Sequence, residues 1–247
     1  LAIYCDSHIH LFHSKTPSFA ERGHYFCVSS CHTKEEFDFL SDKNSFASFG
    51  IHPQDCFPGK SEMSETLSFL DSLCREKKII AIGECGFDFF TKEFKATAEA
   101  QEFAFGEQLK LAQKYKLPLV LHIRKAIEKI FTYSKELKEL PSVIFHSFPG
   151  TVREAESLKK HGINAYFSFG KPILNGKKSA IDCVKNLPLQ NILLETDAPY
   201  QTLKGENETF PSDIKKVYEK AAELRNISEE ELCQQTFENF KRAFCLN

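Results

Sequence analysis

Asp6-Ser7-His8-Ile9-His10 sets two imidazoles two positions apart, next to a carboxylate. The apolar run Leu1 to Cys5 ahead of them reads as a short buried strand. Alternate strand residues point to one side, so His8 and His10 project together at its end. Two imidazoles beside a carboxylate make half of a divalent-metal site. A histidine pair hydrogen-bonded in a loop is the other reading of that spacing. Four more ligand-type residues decide between them. Glu84 follows the apolar run Lys78 to Ile82, His122 closes Pro118 to His122, His146 follows Ser142 to Phe145, and Asp197 follows Asn191 to Leu194.

The elements between these residues must position them. Tyr25 to Cys31, Ser45 to Ile51 and Asn164 to Phe169 read as further strands, which makes eight in all. Helical patterns fall between most of them. One starts at Thr33, which can cap it with Glu36 three residues on. Others cover Ser61 to Lys77, Lys92 to Tyr115, the residues after Ala126 to about Leu140, Val152 to His161 with Gly162 as its stop, and Lys177 to Lys185. Ser212 to Leu224 and Ser228 to Phe244 close the chain. Near-continuous apolar strands suit a parallel sheet buried on both faces. The expectation is an α/β chain, one (β/α)8 TIM-type barrel domain over residues 1–247. An open doubly wound sheet is the runner-up, but the glycine-rich phosphate loop is missing after the first strand. In such a barrel the C-terminal strand ends share one mouth, where the chemistry sits. Four histidines and two carboxylates would converge there.

Bulk properties agree. The 247 residues are 42% hydrophobic and 27% charged, ordinary values for a globular chain. No apolar run reaches membrane-span length, and the first residues show no leader pattern. Net charge is -2, so nucleic-acid binding must be local rather than a bulk effect. The nine cysteines are scattered, without a C-x-x-C pair, and read as reduced, buried thiols of a cytoplasmic protein. Cys27 and Cys31 lack the second pair that a zinc site needs. A monomer is compatible, and no feature fixes the oligomeric state.

Several blocks carry a resemblance. Asp-Ser-His-Ile-His, Gly-Ile-His-Pro, Ala-Ile-Gly-Glu-Cys-Gly-Phe-Asp, Leu-His-Ile-Arg-Lys-Ala, Phe-His-Ser-Phe-Pro-Gly and Leu-Glu-Thr-Asp-Ala-Pro-Tyr occur in that order. From residue 5 to about 200 the chain resembles the TatD-related metal-dependent DNases of the amidohydrolase superfamily. The resemblance implies a cytoplasmic hydrolase with two divalent ions (magnesium, manganese or zinc) and DNA, single-stranded or at an end, as substrate. It implies that His8, His10 and Asp197 hold one ion, that His122 and His146 hold the other, and that Glu84 bridges them. His52 matches the pocket histidine of Gly-x-His-Pro, and Arg124 the arginine of His-x-Arg.

Two ions can lower the pKa of water and clamp the attacking and leaving oxygens of a phosphodiester. Asp197 is the expected general base, with Glu84 as the other catalytic carboxylate. Glu195 is expected to support the site instead. Arg124 either pairs with a phosphate oxygen or forms an ion pair at a helix start. His52 either donates to phosphate or supports its loop. Lys125, Arg153, Lys171, Lys177 and Lys178 could supply local positive charge. Phe12, Phe87 and Phe148 either stack bases or pack the wall. The chain departs from the family pattern at the extra His13, at Phe89-Phe90, and at Lys204-Gly205-Glu206-Asn207 after the Asp-Ala-Pro block. A hydrolase of a small amide, ester or phosphoester is the second reading, and a non-catalytic barrel scaffold the third.

Overall fold

The computed structural model describes residues 2–14, 24–40, 43, 45–57 and 62–246. Leu1, Pro17 in the polar stretch after His10, and Ser61 at the expected helix start lie outside them. Eight parallel strands run in sequence order around one sheet: β1 (Tyr4–Ile9), β2 (Tyr25–Cys31), β3 (Phe46–Phe49), β4 (Ala81–Asp88), β5 (Leu119–Arg124), β6 (Val143–Phe145), β7 (Ala165–Phe169) and β8 (Ile192–Leu194). Hydrogen bonds from Asp197 N–H to the His8 carbonyl (3.0 Å) and from His10 N–H to the Ala198 carbonyl (2.8 Å) draw the last strand's exit onto the first. The (β/α)8 barrel expected from the strand pattern is the architecture found.

The helices are α1 (Lys34–Phe39), α2 (Glu62–Arg75), α3 (Lys92–Ala96), α4 (Ala98–Tyr115), α5 (Ile127–Phe131), α6 (Ser134–Leu137), α7 (Val152–Lys160), α8 (Lys178–Asn186), α9 (Ile214–Arg225) and α10 (Glu229–Ala243). Thr33, Thr91, Thr151 and Ser228 cap their helices through the side-chain oxygen, each worth about 1 kcal/mol. Thr151 and Glu154 form a reciprocal capping box. Glu36 does not complete one with Thr33, because its carboxylate accepts the His32 N–H instead (2.6 Å).

Two expected helices are split. The stretch from Lys92 to Tyr115 breaks at Thr97, whose hydroxyl and the Gln101 amide both donate to the Phe94 carbonyl. The helix expected to reach Leu140 breaks near Tyr133, where Ser134 Oγ donates to the Phe131 carbonyl. Side chains that compete for helix carbonyls interrupt the ladder in this way.

Strands β1 and β4 run further than their apolar runs, to Ile9 and Asp88, each with a shift of register along its length. The barrel interior is layered. Cys5, Val28, Ala81, Val120, Ile144, Tyr166 and Leu193 form its apolar floor with Phe240 and Phe244 of α10. Two residues further along several strands stand serines: Ser7 Oγ and Ser168 Oγ are 2.6 Å apart, and Ser30 Oγ accepts the Glu84 N–H (3.2 Å). His122 and His146 likewise stand two residues beyond the floor residues Val120 and Ile144. A second, larger core packs the strands' outer faces against the helices. No helix of the described residues is long and apolar enough to cross a membrane.

Candidate metal centre

Period-two alternation carries the apolar floor up to the site. Val120 of β5 leads to His122, Ile144 of β6 to His146, and Leu193 of β8 to Glu195 and then Asp197. Glu84 is placed by Gly83 before it. Gly83 has φ +129°, and a Cβ there would fall 2.3 Å from the Val120 carbonyl oxygen, so only glycine lets β4 lie this close to β5. Asp197 itself has φ +55°, a left-handed conformation that Asp tolerates better than most residues.

The six expected ligands meet around Glu84. On one side, its Oε2 lies 3.2 Å from His8 Nε2 and 3.6 Å from His10 Nε2. Asp197 Oδ1 lies 3.6 and 3.4 Å from the same two nitrogens. On the other side, Glu84 Oε1 lies 2.6 Å from His122 Nδ1 and 3.3 Å from His146 Nε2. His8, His10 and Glu84 fit one ion, as do His8, His146 and Asp197, and His52, Glu84 and His122. Within each trio the ligand atoms lie within 4.8 Å of one another. Imidazole nitrogens and carboxylate oxygens so close together, and almost wholly buried, are a donor set for zinc, manganese or similar ions.

Electrostatics follow from that crowding. Burial alone would raise Glu84, yet His146, His52 and His8 beside it hold its carboxyl well below the usual range. Burial opposes ionisation of Asp197 too, but His146 and the hydrogen bond to His10 bring it down to about 2. Burial and the nearby His146 lower His8. His146 rises to about 10 against its burial, held by Glu195, Glu84 and Asp197.

Supporting residues orient the ligands, as metal-binding histidines generally require. Glu195 is fully buried, with Oε1 3.1 Å from His146 Nδ1 and accepting the Ser147 N–H (2.9 Å). That is the supporting place expected of it. Asp88, which sequence reasoning did not single out, has Oδ2 3.2 Å from His122 Nε2 and accepts from Gln54 Nε2 (2.7 Å). It lies on β4 four residues beyond Glu84, a spacing that alternation would have flagged. Gln201, also unforeseen, donates to Asp197 Oδ2 (2.9 Å), leaving Oδ1 toward the histidines. Asp6 stays out of the centre. It accepts from Thr196 N–H (2.9 Å), Thr196 Oγ1 (2.6 Å) and Tyr25 OH (3.1 Å), tying β1 to the segment after β8.

His52 lies at the pocket, with Nε2 3.4 Å from Glu84 Oε1 and Nδ1 accepting from Gln54 N–H (3.2 Å). Arg124 forms the ion pair of its second reading, and it faces the cavity. It stacks its guanidinium 4.1 Å over the Phe90 ring and reaches Asp88 Oδ2 at 3.7 Å. Lys125 and Lys177 also line this cavity of ≈ 920 Å³.

Other expected contacts are corrected. Lys171 is fully buried, pairing with Glu206 (2.6 Å) and Asp213 (2.7 Å), so it cannot meet a substrate. Phe87 and Phe148 are buried in packing and cannot stack bases, whereas Phe90 and Tyr200 are about half exposed at the rim. Phe12 is exposed and packs edge-on against Phe39. Cys245 is exposed, unlike the other eight cysteines. His32, at the end of β2, is the residue most plainly missed. Its Nε2 lies 3.8 Å from Glu84 Oε2, and burial, followed by His52, lowers its pKa to about 3.

A closed parallel barrel with imidazoles and carboxylates gathered at the C-terminal strand ends defines a metal-dependent hydrolase. Known proteins refine that class. The family model described as TatD related DNase matches residues 5–245, and the chain belongs to this family. It is 35% identical over 219 residues to the uncharacterized metal-dependent hydrolase YabD of Bacillus subtilis, covering 86% of this chain and 80% of that one. It is 29% identical to the 3'-5' ssDNA/RNA exonuclease TatD of Enterobacter lignolyticus, covering 87% and 85%. The crystal structure of YjjV, a TatD homologue from Escherichia coli K12, superposes with a TM-score of 0.86 at 26% identity, covering 99% of this chain and 98% of that one.

Proposed function

We propose that this enzyme is a deoxyribonuclease that hydrolyses phosphodiester bonds of single-stranded DNA from an end, with two divalent ions. The observation that carries the reading is the division of imidazoles between the two oxygens of Glu84: His8 and His10 on Oε2, His122 and His146 on Oε1. One carboxylate with ligand-type nitrogens on both of its oxygens suits a bridge between two ions. When bound, such ions would acidify water and neutralise charge on the phosphate.

The chain's own residues supply the rest. Asp197, a carboxylate at neutral pH, accepts the proton of the attacking water at Oδ1. Gln201 holds its other oxygen. His52, whose Nδ1 accepts from Gln54 N–H, presents an N–H at Nε2 that hydrogen-bonds a phosphate oxygen. The Arg124 guanidinium pairs with a second oxygen. Water forms the new P–O bond, the ester P–O bond breaks, and the leaving oxygen takes its proton from solvent. The exonuclease name of the Enterobacter lignolyticus relative supports a strand attacked from its end. Nine free thiols support a reducing, cytoplasmic setting, and the strands in sequence order support one domain throughout.

The test is cleavage of an end-labelled single-stranded oligonucleotide by metal-stripped protein with magnesium, manganese or zinc restored. Metal-dependent laddering is expected. Its absence in protein that holds two ions would transfer the site to a small ester, amide or phosphoester.

A further inference from the structure

His32 lies in none of the sequence blocks that resemble the family, yet it occupies the same structural position as the ligands in them. Val28, Ser30 and His32 follow the alternation of β2. Val28 is in the apolar floor, Ser30 Oγ accepts the Glu84 N–H (3.2 Å), and His32 Nε2 lies 3.8 Å from Glu84 Oε2. That oxygen is the one near His8 and His10. The centroids of the His32 and His10 rings are 5.7 Å apart.

Two hydrogen bonds fix the residue. Its backbone N–H goes to Glu36 Oε2 (2.6 Å), and its Nδ1 lies 3.1 Å from the Gly50 carbonyl oxygen. A carbonyl only accepts, so the ring proton is on Nδ1 and the lone pair is on Nε2, toward Glu84. A ring N–H given to a backbone carbonyl, with the other nitrogen bare, is the arrangement that metal-binding histidines use. Neighbouring His52 has the reverse arrangement. Its Nδ1 accepts from Gln54 N–H (3.2 Å), which leaves the proton on Nε2. The two rings, 5.3 Å apart, thus offer the pocket a lone pair and a proton respectively.

We propose that His32 is an additional protein ligand of the metal centre, on the ion held by His8, His10 and Asp197. The inference rests on the two-ion reading. A further neutral nitrogen moves that position away from oxygen-preferring magnesium and toward zinc or a similar ion.

The test needs no substrate. Protein with 15N-labelled histidine is loaded with 113Cd, and the ring nitrogens are read by NMR, with His32 assigned through the bonds from its own backbone amide. One-bond 113Cd splitting is expected on the ligating nitrogens of His8, His10 and His32. Splitting on His8 and His10 with an unsplit His32 Nε2 overturns this inference and leaves the two-ion reading standing. No splitting on any histidine overturns both. As a second measurement, His32→Gln should weaken zinc binding at this position at least tenfold, with the metal-stripped variant melting as the parent does. Unchanged zinc affinity counts against the ligand role.

Discussion

Glu84 is one buried carboxylate amid six imidazoles: His8, His10 and His32 around Oε2, and His52, His122 and His146 around Oε1. Burial works against its charge, and the histidines more than offset that. Its two oxygens face different sets of imidazoles, so its loss has a distinct signature. Glu84→Gln keeps the volume and removes the charge. The expected outcome is a folded chain that retains at most one ion, read as metal per chain after dialysis; two retained ions would refute the bridge. Asp197 differs, because its Oδ1 lies closest to His8 and His10, at 3.6 and 3.4 Å. Asp197→Asn should lower turnover by roughly 10²- to 10⁴-fold, the usual worth of a positioned base. The metal-stripped variant should melt as the parent does. Unchanged turnover would remove the base assignment. At this scale most of the candidate site was legible, because histidines are few, at nine, and each expected ligand followed an apolar run. His32 was not, because no quoted block contains it and a lone histidine before a helix cap looks like a loop residue.

Strand ends decide what residue types alone cannot. The extra reach of β1 and β4 beyond their apolar runs, each with a register shift, takes in His8 and Glu84 and leaves His10 just past the end of β1. Hydrophobic pattern ends where the strand turns polar, so it hides that reach. The split of α3 from α4 was hidden for a related reason: the break comes from Thr97 and Gln101 hydrogen bonds, not from a change in apolar spacing. The segment after Tyr200 shows the strongest contrast. By sequence Lys171 is a candidate for local positive charge at the mouth, and Lys204-Gly205-Glu206-Asn207 is a departure from the family pattern. In the fold the two belong together. Lys171 is buried against Glu206 and Asp213, and Glu206 also accepts the Leu203 N–H (2.9 Å). The loop that carries Gln201 to Asp197 is thereby pinned to the segment after β7. Removing one partner of a buried pair strands the other, so Lys171→Met should cost about 3 kcal/mol, seen as a lower urea midpoint. An unchanged midpoint would mean that the tie contributes nothing. The same pair sets a pH dependence. Despite burial, Lys171 and Lys216 depress the Asp213 carboxyl. Its folded pKa therefore lies below its unfolded value of about 3.9. Such a group contributes stability that is present above pH ~4 and lost as pH falls through the folded pKa. Asp213→Asn should narrow the stability difference between pH 6 and pH 3. An equal difference in both proteins would show that Asp213 is not a source of it.

Over the whole molecule, charge is nearly balanced at -2, and a strand of DNA gains nothing from the general field. Attraction has to come from cations placed at the mouth. Arg124, Lys125 and Lys177 line it, and Arg124 and Lys125 both stand over the half-exposed Phe90 ring, at 4.1 and 4.6 Å. A flat aromatic carrying two cations can stack a base while the cations meet the flanking phosphates. The other rim aromatic, Tyr200, packs edge-on against His10 (5.1 Å) and reaches the centre itself. This arrangement makes a quantitative demand. Each phosphate contact to a single strand contributes about -0.7 to the slope of log K against log salt. Three cations therefore give a slope near -2, much shallower than a basic nucleic-acid-binding protein shows. Replacing Arg124 and Lys125 together by Ala should bring it to about -0.7 and weaken binding alike for all sequences, since phosphates carry no base identity. Phe90→Ala should leave the slope unchanged and cost about 1–3 kcal/mol of affinity, the value of one stacked base. These are measured by fluorescence anisotropy of a labelled oligonucleotide on Asp197→Asn protein, which binds without cutting. A steep parental slope that survives the double substitution would place the strand on another face. A slope that falls in Phe90→Ala as well would mean that the ring holds the two cations in position rather than stacking a base.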